Sequence, residues 1–222
     1  DFAILYRTNA QSRSFEESLR RMGIPYRIYG GVSFYQRKEV KDFIAYLRVV
    51  VNIKDEEALK RIINYPVRGI GKTTMEKCAI AANENNITLF EVISRAGEFG
   101  FKAGTLNSIE EFVTMVKYFQ NLLTKNNAYD VAVQVGKSTN IIKELFNDKS
   151  TEGLARYENV QELLNSIKEW TESPSNDDGE LGDKSLGSYL QQITLITDAD
   201  NDTGNEDTVK LMTVHAAKGL EF

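Results

Sequence analysis

The apolar residues of this chain change their spacing near residue 51, from alternating strands and helices to helical spacing alone. Residues 2–6 and 26–29 are short runs of β-branched and large apolar residues, which are typical of buried strands. The apolar residues between these two runs have helical spacing: Phe15, Leu19 and Met22. Ser14 and Glu17 stand three residues apart at the start of this segment, so we predict a helix that begins there with a capping box.

A second amphipathic helix is predicted from Glu39 onward. Its apolar residues recur at helical spacing: Val40, Phe43, Ile44 and Leu47. Two strands that are each followed by a helix, within about fifty residues, are typical of a parallel sheet. Residues 1–50 are therefore predicted to form the first part of an α/β domain.

From residue 51 onward helical stripes follow one another, and strand patterns are nearly absent until residues 209–214. That last run is rich in β-branched and large apolar residues, which predicts a buried strand. The simplest topology is an α/β domain with a helical insertion at residues 51–206 and a return to the domain at residues 207–222. We therefore predict a mainly α fold with a small parallel α/β part, in which residues 3–6 and 210–214 lie parallel in one sheet.

Composition and charge narrow the function classes. The chain has 222 residues, 41% of them hydrophobic and 27% charged, as in ordinary globular proteins. The single cysteine, Cys78, excludes an internal disulfide and favours a reducing compartment, so we predict a cytoplasmic protein without a membrane segment. The net charge is −5, yet residues 1–82 hold 15 Lys and Arg against 9 Asp and Glu. This asymmetry predicts a basic surface in the first part of the chain.

Polar residues follow the first and the last predicted strand. Arg7, Thr8 and Asn9 come directly after the first strand, and His215 and Lys218 follow the last one. The carboxyl ends of parallel strands form the edge at which open α/β sheets bind ligands, and a helix that starts there offers free N–H groups to a phosphate. The sequence therefore predicts an anion-binding edge. A polar turn after a strand is common in any fold, so this signal is weak by itself.

A glycine-rich stretch, Pro66-Val-Arg-Gly-Ile-Gly-Lys-Thr-Thr74, ends like a phosphate-binding P-loop. Proline occupies the position of the required first glycine, and a predicted helix precedes the stretch where a P-loop needs a strand, so we reject that interpretation. A helix, a Gly-Ile-Gly turn and a second helix from Thr73, with Glu76 completing a capping box, are typical of a helix-hairpin-helix. Its backbone N–H groups would bind a DNA phosphate. The alternative is a glycine-capped junction between two helices.

Three stretches carry a resemblance to a known family. Leu5-Tyr-Arg-Thr-Asn-Ala-Gln-Ser-Arg13 is similar to L-Y-R-T-N-A-Q-S-R, and the segment from Gly30 to Asp42 is similar to G-G-x-x-F-Y-x-R-x-E-I-K-D with Val40 in place of Ile. Thr213-Val-His-Ala-Ala-Lys-Gly-Leu-Glu-Phe222 is similar to T-x-H-x-x-K-G-L-E-F. These motifs resemble those of superfamily 1 DNA helicases of the UvrD/PcrA/Rep type, and the family carries a similar glycine hairpin in a helical insertion.

The resemblance implies roles for individual residues of an incomplete RecA-like domain, the second motor domain of the family. Four residues would contact single-stranded DNA: Arg7, Asn9, Thr213 and His215. Three would face the nucleotide: Lys218, Gly219 and Glu221. The hairpin would contact duplex DNA through Arg68, Gly69, Ile70, Gly71, Lys72 and Thr73. No metal-ligand cluster is predicted, and no catalytic residue.

The resemblance also implies an activity, which is ATP-dependent DNA unwinding in the 3′ to 5′ direction. The complete protein would use ATP and Mg²⁺, held with a first motor domain that this piece of chain would lack, so the piece alone is expected to be inactive. The expected partners are DNA at a single-strand/duplex junction, and also repair or replication proteins, near the nucleoid. Two alternatives stay open: a non-catalytic duplex-binding or protein-interaction module, and part of a helicase–nuclease fusion.

Overall fold

The computed structural model describes residues 2–174, 182–199 and 207–218. The strands in these ranges are β1 (Ala3–Tyr6), β2 (Tyr26–Tyr29) and β3 (Val209–Thr213). The α-helices are α1 (Ser12–Arg21), α2 (Lys38–Val51), α3 (Glu56–Ile62), α4 (Lys72–Asn85), α5 (Leu89–Ser94), α6 (Ala103–Leu122), α7 (Ala128–Ser138), α8 (Ile141–Asn147), α9 (Thr151–Glu172), α10 (Leu186–Ala199) and α11 (Val214–Ala217). Short 3-10 helices lie at Asn9–Gln11, Phe34–Gln36 and Ala96–Phe99. The predicted combination of a mainly helical fold and a small parallel sheet is confirmed.

The three strands form one parallel sheet in the order β1-β3-β2. In the register, Tyr6 stands opposite Thr213, and Tyr29 stands opposite Met212. The predicted parallel alignment of the first and last strands is therefore confirmed. The strand from the far end of the chain is the central one, and the two strands that are close in sequence pair only with it among the described residues.

Helix α1 covers one face of the sheet. Tyr6, Leu19 and Leu211 form the buried centre of this small core, with Phe15 and Ile28 packed against it. Burial of each such side chain contributes about 1.5–3 kcal/mol to folding.

Two details of the α1 prediction are wrong. Met22 is 62% exposed, because α1 ends at Arg21 and the chain turns away. The predicted cap at Ser14 is also wrong, since the helix already begins at Ser12 and the Ser14 hydroxyl donates to the Gln11 carbonyl.

The helical part has a separate and larger core. Helix α2 lies at its centre and packs against α3, α6, α7, α9 and α10. Its side chains are buried on several faces, among them Val40, Phe43, Tyr46 and Leu47, each at most 1% exposed. Helix α2 thus packs with the helices that follow it in sequence, and the division at residue 50 stays a prediction. Among the described residues no helix is long and apolar enough to cross a membrane.

The boundary between the sheet part and α9 is polar. The Arg13 side chain of α1 donates to Glu162 and to Glu169 of α9, at 2.7 Å and 2.9 Å, and to Glu17 of its own helix at 2.9 Å. Arg13 is only 5% exposed, so these carboxylates offset the cost of burying its charge. This cluster holds α1 against α9.

Candidate nucleic-acid interface

The parallel sheet brings two of the predicted motifs to one edge. Tyr6 and Thr213 are paired in the register, so the residues that follow them leave the sheet side by side. Arg7, Asn9 and His215 are all exposed there, and Thr213 is half-buried. The predicted single-strand contacts therefore lie at the carboxyl end of the sheet, where ligands of such sheets bind.

The loop after β1 has a defined shape. The Gln11 side-chain oxygen accepts hydrogen bonds from the backbone N–H groups of Arg7 and Thr8, at 2.9 Å and 3.1 Å. The Asn9 carbonyl accepts from Arg37 at 2.7 Å. Within the described ranges the Arg7 guanidinium has no hydrogen bond or ion pair, so its charge is available to an anion.

The motif after β3 begins with a capped turn. The Thr213 hydroxyl oxygen accepts from the Ala216 N–H at 3.1 Å and starts the short helix α11. This bond leaves the hydroxyl hydrogen of Thr213 as a donor for another group. His215 and Lys218 are exposed at this turn, whereas Gly219 and Glu221 lie outside the described residues.

The end of β2 also approaches this edge, which sequence reasoning missed. Gly30 follows β2 with a φ of +72°, and a Cβ atom on it would lie 2.9 Å from the Cβ of Ala216. Both the backbone conformation and the close approach therefore require glycine. The two glycines at the start of the Gly30–Asp42 segment were the available signal, since a paired glycine after a strand indicates either a turn or a close contact.

The glycine hairpin joins α3 to α4. Helix α4 begins at Lys72 with Gly71 as its N-cap, so the predicted start at Thr73 and the capping box with Glu76 are wrong. Glu76 instead lies 3.8 Å from the ammonium of Lys72, in an exposed pair. Gly69 has a φ of +77°, which favours glycine, whereas Gly71 has an ordinary φ of −82° and open space around its Cβ position.

The hairpin is fixed from inside by one side chain. The Asn64 side-chain oxygen accepts from the backbone N–H groups of Arg68 and Ile70, at 2.9 Å and 3.1 Å. Ile70 is 1% exposed and anchors the turn in the helical core. In the described part of the chain, five backbone N–H groups between residues 69 and 74 have no acceptor, those of Gly69, Gly71, Lys72, Thr73 and Thr74.

Arg68 is directed into the protein. Its guanidinium donates to the carbonyls of Ile62 and Pro66, at 3.2 Å and 3.0 Å, and to the Tyr46 hydroxyl at 2.6 Å. The Tyr46 hydroxyl in turn donates to the Tyr65 carbonyl. Burial, partly opposed by the Arg68 charge, raises the pKa of Tyr46 to about 12, so this hydroxyl stays protonated as a donor. Of the two basic residues predicted at this turn, Lys72 is the one that presents its charge to solvent, with a side chain 91% exposed.

Neither surface has the features of a metal or P-loop site. In residues 2–174, 182–199 and 207–218, no group of three or more His, Cys, Asp or Glu side chains could hold a metal ion. The element before the hairpin is helix α3, whereas a P-loop follows a strand. A cavity of about 770 Å³ lies between α1, α9 and α10, and none of the predicted site residues lines it.

Comparisons with known proteins identify the family of this chain. The family model described as "UvrD-like helicase C-terminal domain" matches residues 1–222. The chain is 38% identical over 228 residues to the "ATP-dependent DNA helicase PcrA" of Bacillus subtilis (strain 168). It is 36% identical over 225 residues to proteins of the same name from Staphylococcus epidermidis (strain ATCC 12228) and Staphylococcus aureus (strain COL).

Each of these alignments covers 100% of this chain and 30% of the relative. The chain therefore spans about a third of the length of the curated relatives it matches. The family match extends over the strand-end motifs and the hairpin alike. The chain belongs to the UvrD-like helicase C-terminal domain family.

Proposed function

We propose that this chain is the DNA-contacting part of an ATP-dependent DNA helicase that translocates 3′ to 5′, as the resemblance to its family implies. The observation that carries the proposal is the parallel pairing of β1 with β3, which brings Arg7 and His215 to one edge of the sheet. The relatives that align with the whole chain bear the name of such helicases.

In this proposal the sheet belongs to the second RecA-like motor domain, and the helical residues form its insertion. Lys218, Gly219 and Glu221 would face the nucleotide. The P-loop and the Mg²⁺ site would come from a first motor domain of the same protein, because phosphoryl transfer needs both. ATP and Mg²⁺ are thus cofactors of the complete helicase, which would act in the cytoplasm on nucleoid DNA with repair or replication proteins as partners.

Single-stranded DNA would bind at the strand-end edge. An unpaired guanidinium at Arg7 suits a phosphate, and the exposed Asn9 and His215 side chains offer polar contacts to phosphate or base. A nucleotide phosphate carries the same charge, so the edge could also serve ATP. Experiments therefore need to separate the two anions.

Duplex DNA would bind at the hairpin, which we propose is a helix-hairpin-helix. The outer N–H groups of Gly69, Gly71, Lys72 and Thr73 would donate to one phosphate, and Ile70 would anchor the turn. Backbone donors contact the phosphate rather than base edges, so this binding would be independent of sequence. In this arrangement Arg68 shapes the hairpin from inside and Lys72 supplies the charge.

The single-strand proposal is tested by anisotropy of a labelled oligonucleotide with Arg7→Ala. Loss of one phosphate contact should weaken binding and flatten the salt dependence by about 0.7. Arg27→Ala is the matched control, because Arg27 is an exposed arginine near the amino end of β2, whereas the candidate edge is at the carboxyl ends of the strands. Equal effects of the two variants would contradict the proposal. If Arg7→Ala keeps single-strand binding but loses binding of an ATP analogue, whereas Arg27→Ala keeps both, Arg7 is assigned to the nucleotide instead.

The hairpin proposal is tested with Gly71→Val. The position is open and its φ is ordinary, so the fold should persist while the new side chain blocks the phosphate from the N–H groups. Binding to a duplex should weaken equally for all sequences. Gly104→Val at the start of α6, which also has open space, is the control. Unchanged duplex binding by folded Gly71→Val would return the hairpin to a purely structural junction.

A further inference from the structure

A buried polar chain connects the loop after β1 with helix α9. Arg37, 7% exposed, donates to the Asn9 carbonyl at 2.7 Å and, through the same nitrogen, to the Asn159 side-chain oxygen at 2.9 Å. Its other terminal nitrogen donates to the Ser12 hydroxyl at 2.7 Å. Asn159 belongs to α9 and is 122 residues from Arg37 in sequence. The helical part therefore reaches the backbone of the candidate single-strand loop through two side chains.

The Asn159 amide fits between a buried cation and a buried anion. Its oxygen accepts from Arg37, and its nitrogen donates to the Glu39 carboxylate at 2.5 Å. Asn159 is 4% exposed, so water does not replace either bond. An amide has one acceptor end and one donor end, and here each end faces the matching charge. Leucine of similar size would leave both charged partners without these bonds.

The amide controls where the Arg37 guanidinium lies. Because one nitrogen serves both Asn159 and the Asn9 carbonyl, loss of the first acceptor frees the guanidinium to move from the second. The loop would then be held by its own local bonds, those from the Arg7 and Thr8 N–H groups to the Gln11 side chain and from the Gln11 N–H to the Thr8 carbonyl.

We propose that Asn159 is a positioning residue, which acts through Arg37 to hold the loop of residues 7–11 in the conformation that presents Arg7 and Asn9. This inference rests on the proposed function only in taking that loop to contact single-stranded DNA. In this proposal helix α9 stabilises the conformation of the DNA-contacting loop.

Helix α9 is also attached to α1 by a second cluster of polar contacts. This allows a positioning role of Asn159 to be tested separately from a role in general packing. Arg13 binds Glu162 and Glu169 of the same helix. Removal of the Asn159 amide therefore leaves α9 attached to α1. Its effect should concentrate in the loop, whereas Glu162→Gln weakens a contact at the same boundary, by removing the charge that faces Arg13, without touching the loop.

The first measurement is backbone amide exchange in Asn159→Leu, with Glu162→Gln as the matched control. Exchange of the Arg7 and Thr8 amides should become about tenfold faster in Asn159→Leu and stay unchanged in Glu162→Gln. Asn159→Asp keeps the oxygen that accepts from Arg37 but places a second carboxylate beside Glu39. The rescue is therefore the double variant Asn159→Asp with Glu39→Gln, whose new amide can donate to the new carboxylate, and it should restore slow exchange. If Asn159→Leu does not fold, Asn159→Ala replaces it with the same expectation. Unchanged loop exchange in a folded variant would overturn the inference.

The second measurement is a double-mutant cycle for single-strand affinity with Arg7→Ala. Asn159→Leu should weaken binding by about tenfold and flatten the salt slope by no more than Arg7→Ala does, because it acts through the Arg7 phosphate contact. The same change should have little effect in the Arg7→Ala background. Additive effects would overturn the inference. If the unaltered chain binds no single strand at all, the proposed function fails, and the exchange measurement still decides the role of Asn159.

Discussion

Arg68 and Lys72 flank the Gly-Ile-Gly turn and carry the same charge, yet the structure predicts opposite consequences for their removal. Arg68→Ala deletes three hydrogen bonds, two to the carbonyls of Ile62 and Pro66 and one to the Tyr46 hydroxyl. Each hydrogen bond contributes about 0.5–1.5 kcal/mol to the free energy of unfolding, and the partly exposed position of Arg68 favours the lower half of that range. Loss of all three bonds should therefore lower the free energy of unfolding by about 2–3 kcal/mol. For a domain of this size this corresponds to a fall of about 4–12 °C in Tm.

Lys72→Ala removes an exposed side chain whose ammonium lies 3.8 Å from the Glu76 carboxylate. Exposed pairs of this kind contribute about 0–1 kcal/mol, so Tm should barely change. If the ammonium contacts one duplex phosphate, however, the slope of log affinity against log salt falls by about 0.9. Arg68→Ala should leave that slope unchanged, even where a distorted hairpin weakens binding.

The assay combines thermal unfolding with duplex binding at several salt concentrations, begun at low salt because the net charge of the chain is −5. Arg68→Lys provides a control, since it keeps the charge but cannot reproduce the planar set of three bonds. It should resemble Arg68→Ala in stability. A salt slope that falls for Arg68→Ala, with an unchanged Tm, would refute the assignment of Arg68 to the inside of the hairpin.

Three further predictions follow from local geometry. Gly30→Ala should lower the free energy of unfolding by about 1–3 kcal/mol and weaken single-strand binding, because a Cβ atom would lie 2.9 Å from Ala216 and the φ of +72° is strained for alanine. Gly31→Ala is the control: a Cβ atom there would lie 3.9 Å from Ile28, so the same unfolding and binding assays should show almost no change. Burial raises the pKa of Glu16 despite hydrogen bonds from Ser12 and Ser33, so its contribution to stability is present at low pH and is lost as pH rises through that raised pKa. Denaturation at several pH values should show the unaltered chain losing stability relative to Glu16→Gln across this window, and parallel curves would contradict it. The 222-residue chain should not hydrolyse ATP, because Pro66 replaces the first P-loop glycine; turnover that scales with protein and disappears in Lys72→Ala would contradict this.

The pairing of the first and last strands could be predicted because the signals for both are local. Strands β1 and β3 are short apolar runs that each deliver a polar motif at the carboxyl end, and a shared ligand edge requires them to be parallel. The place of α2 could not be predicted in the same way. Its stripe shows that it is amphipathic, but Ala45 and Val49 are buried on the opposite face, and only the assembled helices provide partners for them.

The aromatic residues of α6 show the same limit. The neighbouring aromatic residues Tyr118 and Phe119 differ, since Phe119 is fully buried whereas Tyr118 is 47% exposed. Successive positions of a helix lie about 100° apart, so composition alone does not decide which neighbour faces inward.

The residues of the candidate site that belong to sequence motifs could be predicted. Those whose role depends on partners far away in sequence could not. The sequence shows that Arg68 is a cation beside a glycine turn, but not that Tyr46 and two carbonyls already bind it. Asn159 gave no signal at all, because its role arises from residues 122 and 120 positions away.

The central position of β3 has a consequence for how the chain reaches its folded state. Strands β1 and β2 pair with β3 and not with each other, so neither ladder can form before residues 209–213 are synthesised. Contacts of such long sequence separation form slowly, because a large loop must be closed first. The helical core needs no strand and can condense earlier, which brings the two ends of the chain together and shortens that search. Strands β1 and β2 therefore have unpaired hydrogen-bonding edges until β3 has been synthesised and has paired with them. Unpaired edges promote aggregation, so the nascent protein is exposed to aggregation during this interval.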